Sequence, residues 1–416
     1  MGAGHIGIEL NRESQMPALL RGSTIAIVVL TAAACREDAE SPTAPLVAEP
    51  EVASATQALT FRQVSGGGVH SCGVTTDDRA YCWGLGSYGQ LGDGTEMTRA
   101  APVAVAGGLR FRQVSAGGLH TCGVTTDNRA YCWGANFGAL GDGTTTGRLT
   151  PVAVTGGKLF RQVSAGSIHT CGVSYPDDRA WCWGDNGVGE LGDGTTTSRL
   201  APAPVAGGRQ FRNVSAGQEH TCGVTTTDRA FCWGRNEFGQ LGDSTEVGAR
   251  LLPSRVAGGR QFRQVDAGAS FTCGVTTSDR AFCWGNGRVG QIGDGKTILR
   301  FWPRAVSGMH AFTRVTAGGF HACGVTAENR TYCWGWNLQG AVGDGTKSMR
   351  TTPVPVVGGL RFAQVSGGST HTCARTTAGA AYCWGSYEYG QLGAGEPEDP
   401  SNPPDYTRPT AVVGPT

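Results

Sequence analysis

The chain has 416 residues, 67 of them glycine, with 16 % charged side chains and a formal net charge of +1. That balance leaves no basic field for gripping nucleic acid and no acidic one for polycations. A 39 % hydrophobic content with 10 tryptophans argues against a mostly disordered chain, and glycine recurring at a fixed period points to one long repeat array.

Residues 1–35 read as an export signal. Arg21 precedes an apolar run from Thr24 to Thr31, and Ala32 to Ala34 lead into Cys35. Basic, apolar and small-residue segments in that order describe a secretory leader. As a helix, 24–34 would span only about 16 Å, well short of a bilayer core about 30 Å thick, so a transmembrane anchor is disfavoured. The small-residue run ending in Cys resembles a bacterial lipoprotein signal, in which Cys35 becomes the lipidated first residue. Ala32 stands where such signals usually carry leucine, so plain secretion stays open. A start at Met16 gives the leader a more usual length than one at Met1. Residues 36–58, with Pro42, Pro45 and Pro50 among Glu and Ala, read as a disordered tether.

Residues 59–416 form the array. Of fifteen cysteines, Cys35 stands apart and fourteen fall into seven pairs: Cys72/Cys82, Cys122/Cys132, Cys171/Cys182, Cys222/Cys232, Cys273/Cys283, Cys323/Cys333 and Cys373/Cys383. Their first members are spaced by 50, 49, 51, 51, 50 and 50 residues. Around each pair the text repeats; the second copy reads Phe111-Arg-Gln-Val-Ser-Ala-Gly, His120-Thr-Cys-Gly-Val-Thr-Thr, Arg129-Ala-Tyr-Cys-Trp-Gly, Gly138-Ala-Leu-Gly-Asp-Gly and Pro151-Val-Ala-Val. The segments are short, rich in Val, Thr and aromatics, and bounded by Gly, Asp and Pro, which predicts three or four strands per unit and no helix. Seven such units fit an all-β, seven-bladed β-propeller, whose closure removes the two ends that an open array must cap.

Within each copy the cysteines predict a hairpin. In the first, symmetry about Asp77 pairs Thr75 with Arg79, Val74 with Ala80, Gly73 with Tyr81 and Cys72 with Cys82. Opposite residues on antiparallel strands lie within disulfide reach. Seven disulfides are therefore expected; zinc ligation and free buried thiols are the alternatives, and no C-x-x-C knuckle favours zinc. The tryptophan after each second cysteine (Trp83, Trp133, Trp183, Trp233, Trp284, Trp334, Trp384) is expected to pack between blades.

The unit V-S-A-G-x-x-H-T-C, Y-C-W-G-x-N-x-x-G-Q-L-G-D-G-T and P-V-x-V resembles the repeat of the regulator of chromosome condensation (RCC1) family, in its cysteine-containing secreted bacterial form. The likeness runs from residue 59 to about 413 in seven copies. It implies a seven-bladed propeller. The family's founding member is a nucleotide-exchange factor for a nuclear GTPase, and other family-like propellers bind proteins, among them a secreted inhibitor of β-lactamase. The resemblance thus implies binding without naming the ligand.

Little in the text points to chemistry. His70, His120, His169, His220, His321 and His371 each sit two residues before a first cysteine, with Phe271 in the fifth copy, so a structural hydrogen-bonding role is expected. Asp93, Asp142, Asp193, Asp243, Asp294 and Asp344 recur in Gly-Asp turns, with Ala394 in the seventh copy; a turn role is expected over calcium. No G-x-S-x-G, Walker A or H-E-x-x-H motif occurs. No catalytic residue, metal or cofactor is expected. Where the copies differ is more informative. Tyr88, Phe137, Arg235, Phe238, Arg288, Trp336, Tyr387 and Tyr389 follow the Trp-Gly steps and should form variable loops on one face, in residue types enriched at binding hot spots. The seventh copy carries an acidic, Pro-rich insertion within Glu396–Tyr406, expected as an exposed loop that either contacts a partner or accommodates ring closure. The expected protein is an exported, lipid-anchored, monomeric interaction module at a bacterial outer membrane, periplasm or cell surface, or else plainly secreted. It would bind an unknown protein partner, bind no nucleic acid, and meet the membrane only through its lipid. Guanine-nucleotide exchange and an enzyme acting on a surface polymer are the alternatives.

Overall fold

Four antiparallel strands make the first blade: β1 (Phe61–Gly66), β2 (His70–Thr75), β3 (Ala80–Gly84) and β4 (Arg99–Ala104). The computed structural model describes residues 59–415 apart from 247 and 398–403, so the leader, Cys35 and the tether lie outside the described residues. Six further four-stranded sheets repeat the same order, the last closing on the two-residue strand Thr410–Ala411. The described residues hold no helix. The chain is a seven-bladed β-propeller in which every sheet comes from one repeat, so no strand is exchanged across the ring. The first strand of each blade touches its counterparts in both neighbours and is the innermost.

The hairpin register is the one the symmetry predicts: Val74 opposes Ala80, Gly73 opposes Tyr81 and Cys72 opposes Cys82, with Thr75 N donating to the Arg79 carbonyl at 2.9 Å. All seven cysteine pairs are disulfides: Cys72–Cys82, Cys122–Cys132, Cys171–Cys182, Cys222–Cys232, Cys273–Cys283, Cys323–Cys333 and Cys373–Cys383. Their Cα–Cα separations are 4.0–4.1 Å, so each bond closes one hairpin and none joins two blades. Neither zinc ligation nor free thiols remain open for these fourteen sulfurs. The glycine after each tryptophan sits at φ between 96° and 110°. A Cβ at Gly84 would stand 2.6 Å from the His70 Cα, so only glycine lets the third strand leave the hairpin there.

Blades are joined by recurring side chains, with the tryptophan bond made at every step. The tryptophan after each second cysteine is fully buried and donates its indole N–H to a carbonyl of the preceding blade, as Trp133 does to Gln90 at 3.0 Å and Trp233 to Glu190 at 2.8 Å. Five glutamines bridge inner strands; Gln63 Nε2 donates to Val114 O at 2.7 Å while Val114 N donates back to Gln63 Oε1 at 2.9 Å. The buried histidines reach a hydroxyl of the next blade at 2.7–2.9 Å: His70 to Thr121, His120 to Thr170, His169 to Thr221, His220 to Thr272, His321 to Thr372 and His371 to Ser71. Each hydroxyl donates its own proton to a backbone carbonyl, Thr121 to Gln90 O at 2.9 Å for example, so the histidine must supply Nε2–H, and burial, which pushes the His70 pKa down to about 3, keeps the ring neutral at pH 7. Where the histidine is replaced by Phe271, the facing hydroxyl is replaced too, by Ala322. The exchange is paired, and no polar group is stranded.

One end of the central channel is a cavity of about 390 Å³ lined by Ser65, Ser115, Ser164, Ser215, Asp266, Thr316 and Ser366. Each accepts a backbone N–H from the next blade, from Ala116 N to Ser65 Oγ at 3.0 Å round to Gly66 N to Ser366 Oγ at 3.1 Å. Asp266 is the odd member: it accepts from Ala317 N at 2.9 Å and Ser215 Oγ at 2.8 Å, yet burial raises its pKa above the ordinary 3.8. A carboxyl raised in the folded state stabilises only while protonated and costs stability as pH rises through its folded value. Asp266→Ser, which copies the other blades and keeps an acceptor for Ala317, is therefore expected to stabilise the protein by about 1 kcal/mol at pH 7. The gain should shrink on acidification. Thermal unfolding at pH 7 checks this, and an unchanged or lower midpoint would remove the argument.

Candidate functional site

Strand direction sets which loops share a face. The inner strand runs toward the hydroxyl-lined end of the channel, so the short loop after it and the long loop after the third strand emerge together there. One backbone bond ties the two in every blade, from Leu85 N to Val69 O at 3.0 Å in the first to Ser386 N to Thr370 O at 3.0 Å in the last. The long loop is pinned again from within. A buried Gln side chain accepts the backbone N–H two residues earlier: Gln90 from Tyr88 at 2.9 Å, Gln240 from Phe238 at 3.0 Å and Gln391 from Tyr389 at 2.8 Å. Asn136, Asn186 and Asn337 each donate to two carbonyls across the loop.

The recurrent aspartates close the base of these loops. Asp93 Oδ1 accepts from Thr95 N at 2.9 Å and Asp93 Oδ2 meets Arg99 at 3.2 Å. The same Asp–Arg pair recurs as Asp142–Arg148, Asp193–Arg199, Asp243–Arg250, Asp294–Arg300 and Asp344–Arg350. Burial works to raise the Asp142 carboxyl, but Arg148 and Thr144 outweigh it and hold the group below its usual value. These acids are turn supports whose charge is already matched. Among the described residues no cluster of His, Cys, Asp or Glu could hold a metal ion.

The cysteines support the face without belonging to it. Cys72, Cys122, Cys171, Cys222, Cys273, Cys323 and Cys373 lie on the second strands, and Cys82, Cys132, Cys182, Cys232, Cys283, Cys333 and Cys383 on the third. All fourteen are fully buried, and none lines either end of the channel. They hold each hairpin closed beneath the loops and pack against the next blade's tryptophan, as Cys72–Cys82 does against Trp133.

The eight loop residues singled out in the sequence lie on six of the seven blades. Tyr88 and Phe137 stand out into solvent, 50 % and 62 % exposed, and Arg288 is exposed. Phe238 and Tyr389 are half-buried. Arg235 is held between Glu219 at 2.6 Å and Glu237 at 2.7 Å. Trp336 packs on Phe320, 6.1 Å between ring centres. Tyr387 stacks on Tyr406 at 4.9 Å, and burial, with Glu396 and Tyr406 nearby, pushes its pKa up to about 12. Tyr406 and Thr407, at the end of the insertion, are buried against the last two blades, and Thr407 O accepts from Gly345 N at 3.0 Å.

The short inner loops add residues that sequence reasoning passes over. Val69, Leu119 and Ile168 stand half-buried on three successive blades, followed by Glu219, Ser270, the exposed Phe320 and Thr370. Their signal is visible in the repeat: the two positions before the histidine vary in an otherwise near-constant stretch, and the second of them varies most. The face is thus a patchwork, apolar over the first three blades, charged at the fourth and aromatic at the sixth, on a uniform backbone.

These features define a repeat propeller built for display. The RCC1-like domain family matches residues 31–307, and RCC1 repeat models match 328–375 as well as 312–341 and 362–391. The chain belongs to the RCC1-like domain family. It is similar to the ultraviolet-B receptor UVR8 of Arabidopsis thaliana, 32 % identical over 117 residues. That match spans 27 % of this chain and 26 % of the receptor. Among solved structures, human WBSCR16 superposes with a TM-score of 0.71 at 19 % identity, covering 81 % of this chain and 94 % of that one. Prp20p from Saccharomyces cerevisiae gives 0.66 at 19 %, covering 74 % and 80 %. The CRINKLY ectodomain of the Arabidopsis thaliana receptor kinase ACR4 gives 0.52 at 22 %, covering 79 % and 96 %. At these identities the likeness is one of fold.

Proposed function

We propose that this chain is an exported protein-interaction module. A lipid on Cys35 and the 36–58 tether would hold the disc at a bacterial cell envelope, with the face of paired short and long loops turned to a partner protein. The observation that carries this reading is the contrast on that face between a backbone pinned at every blade and side chains that differ from blade to blade. Pre-ordered loops lose little entropy on binding, and exposed aromatics such as Phe137 and Tyr88 supply contact area. Fourteen paired thiols favour an oxidising compartment. The likenesses add support: the Prp20p structure is described with its binding to Gsp1p and histones, and the receptor-kinase domain is an ectodomain.

The test is retention of an envelope protein by the purified chain, repeated with Tyr88→Ala, Phe238→Ala and Tyr389→Ala combined. A partner whose retention falls at least about tenfold supports the assigned face. Equal retention by the variant would move the site elsewhere. Incorporation of labelled fatty acid, abolished by Cys35→Ala, checks the anchor separately.

A further inference from the structure

The opposite end of the channel carries a different charge pattern. The second residue of the inner strand is arginine in five blades: Arg62, Arg112, Arg161, Arg212 and Arg263. Beside each, the hairpin turn has one residue at positive φ: Asp78, Asn128, Asp178, Asp228, Asp279, Asn329 and Gly379 in chain order. The turn requires only tolerance of the left-handed region, which Asp, Asn and Gly all have. The choice among them decides charge. Where the residue is aspartate it pairs with the arginine, as in Arg62–Asp78, Arg161–Asp178, Arg212–Asp228 and Arg263–Asp279.

The other three blades hold no such carboxylate, and each brings a guanidinium to the channel. Among the described residues Arg112, beside Asn128, bonds only the Phe160 carbonyl, at 2.8 Å. Arg314 stands where five blades have glutamine and one asparagine, and among the described residues its side chain has no hydrogen-bond or ion-pair partner. Arg375 replaces the buried valine of the six other blades (Val74 in the first) and reaches the Thr376 carbonyl at 3.3 Å. These blades are the second, sixth and seventh, so with the first they form one contiguous arc. A cavity of about 320 Å³ lies against that arc, lined by Arg62, Arg112, Arg314 and Arg375 with Gln113 and Gln364. Ala363, at the place of the inner-strand arginine, leaves the room that Arg375 enters. The Nε atoms of Arg112 and Arg375 are buried without a partner.

We propose that this end of the channel binds a small multivalent oxyanion, a molecule with two or more phosphate or carboxylate groups. Three guanidiniums without counter-charge converge on one small cavity, in a chain whose net charge is only +1. Burial and the neighbouring Arg161 and Arg62 push Arg112 below the usual guanidinium value, and burial with Arg314 does the same to Arg375. At the half-buried Arg112 and Arg375 uncompensated charge costs the fold stability, while Arg314 adds an exposed guanidinium; a bound anion relieves the first two and takes from all three the planar, bidentate bonds that arginine is shaped to give. Packing offers no reason for the three exceptions, because other blades fit Asp at the place of Asn128, Gln or Asn at that of Arg314 and Val at that of Arg375.

That last fact supplies variants that keep the fold. Arg375→Val, Arg314→Gln and Asn128→Asp each install the residue that other blades carry, the last by giving Arg112 an internal carboxylate. Titration calorimetry of the purified full chain at constant ionic strength, with pyrophosphate in one arm and citrate in the other, reads the site. Saturable binding of either anion is expected, with each variant weakening it about tenfold and the double Arg314→Gln, Arg375→Val variant abolishing it. Pyrophosphate alone would assign a phosphoryl ligand and citrate alone a carboxylate. Without ligand, Arg375→Val should melt no lower than the parent. Absence of saturable binding in both arms overturns the proposal, and so does binding that survives the double variant.

Discussion

Acidification from pH 7 to pH 4 is expected to unfold the propeller in a steep transition centred near about pH 5. Burial lowers six histidines from 6.5: His70, His120, His220 and His371 to about 3, with neighbouring imidazoles adding to the effect, and His169 and His321 to about 4 by burial alone. A base whose folded pKa is depressed contributes stability above its unfolded value and loses it as pH falls toward the folded one. Below pH 6.5 the unfolded chain takes up protons that the folded chain refuses. Each histidine then costs about 1.4 kcal/mol per pH unit, and the six together about 8 kcal/mol per unit. One and a half units of that slope match the whole stability of an ordinary domain, about 5–15 kcal/mol. Asp266 and Glu190, both raised by burial, work in the opposite sense but are only two groups. Asp142, Asp193, Asp243 and Asp344, where the Thr and Arg partners outweigh burial and hold the carboxyls below their usual value, do not add to this window.

Tryptophan fluorescence and the thermal midpoint, followed against pH, measure the slope. A native signal and constant midpoint down to pH 4 would show that the histidines are solvated or charged in the ring. The fifth blade supplies the control. His220→Phe with Thr272→Ala copies the Phe271/Ala322 pair. It should fold and remove one proton from the transition, flattening the slope by about 1.4 kcal/mol per pH unit. Acid sensitivity then belongs to the interblade bond rather than to any catalytic use of the imidazoles.

Much of this architecture is legible in the text because each repeat restates the same local rules. Strand limits, the Cys72–Cys82 register and the glycine after Trp83 all depend on neighbours within a dozen residues, and the copies agree on them. The interblade partners are another matter. Trp83 recurs as faithfully as the cysteines, and Gln63 and His70 in five and six of the seven copies, yet their targets lie a whole repeat away or at the far end of the chain, and periodicity does not say in which direction a side chain leans. The Phe271 exception suggests packing, but its companion Ala322 gains meaning only once the two face each other. Arg99 follows Asp93 by six residues in plain view; that they meet depends on how the long loop folds back. Tyr387 reads as a loop aromatic because nothing local announces that Tyr406 will lie on it. Arg375 is conspicuous as a valine turned to arginine, and only the ring shows that it enters the same cavity as Arg112 and Arg314.

Trp83→Ala is expected to cost about 3–5 kcal/mol and to loosen both the first and the seventh blade. The seam between chain ends is where a propeller is most exposed to opening, and here no exchanged strand crosses it. It is closed instead by contacts of the kinds that join the other blades. Trp83 is fully buried against the seventh blade, beside the Cys373–Cys383 disulfide, Ala381, Leu392 and Tyr406, and its indole donates to Gln391 O at 3.0 Å. Gln364 Nε2 donates to Val64 O at 2.9 Å and Gln364 Oε1 accepts from Val64 N at 3.1 Å. His371 bonds Ser71 at 2.7 Å, and Phe61 N donates to Gly379 O at 2.8 Å. Because the seam repeats the other six interfaces, Trp83→Ala and Trp233→Ala should lower stability within about 1 kcal/mol of each other. Hydrogen exchange should separate them: loss of protection in the first and seventh blades for one, in the third and fourth for the other. A Trp83 variant losing less than about 1 kcal/mol would mean that the ring does not depend on its seam. The loop face proposed to bind a partner would then rest on an open array, and its loops, pinned blade to blade, would no longer hold a fixed distance across the disc.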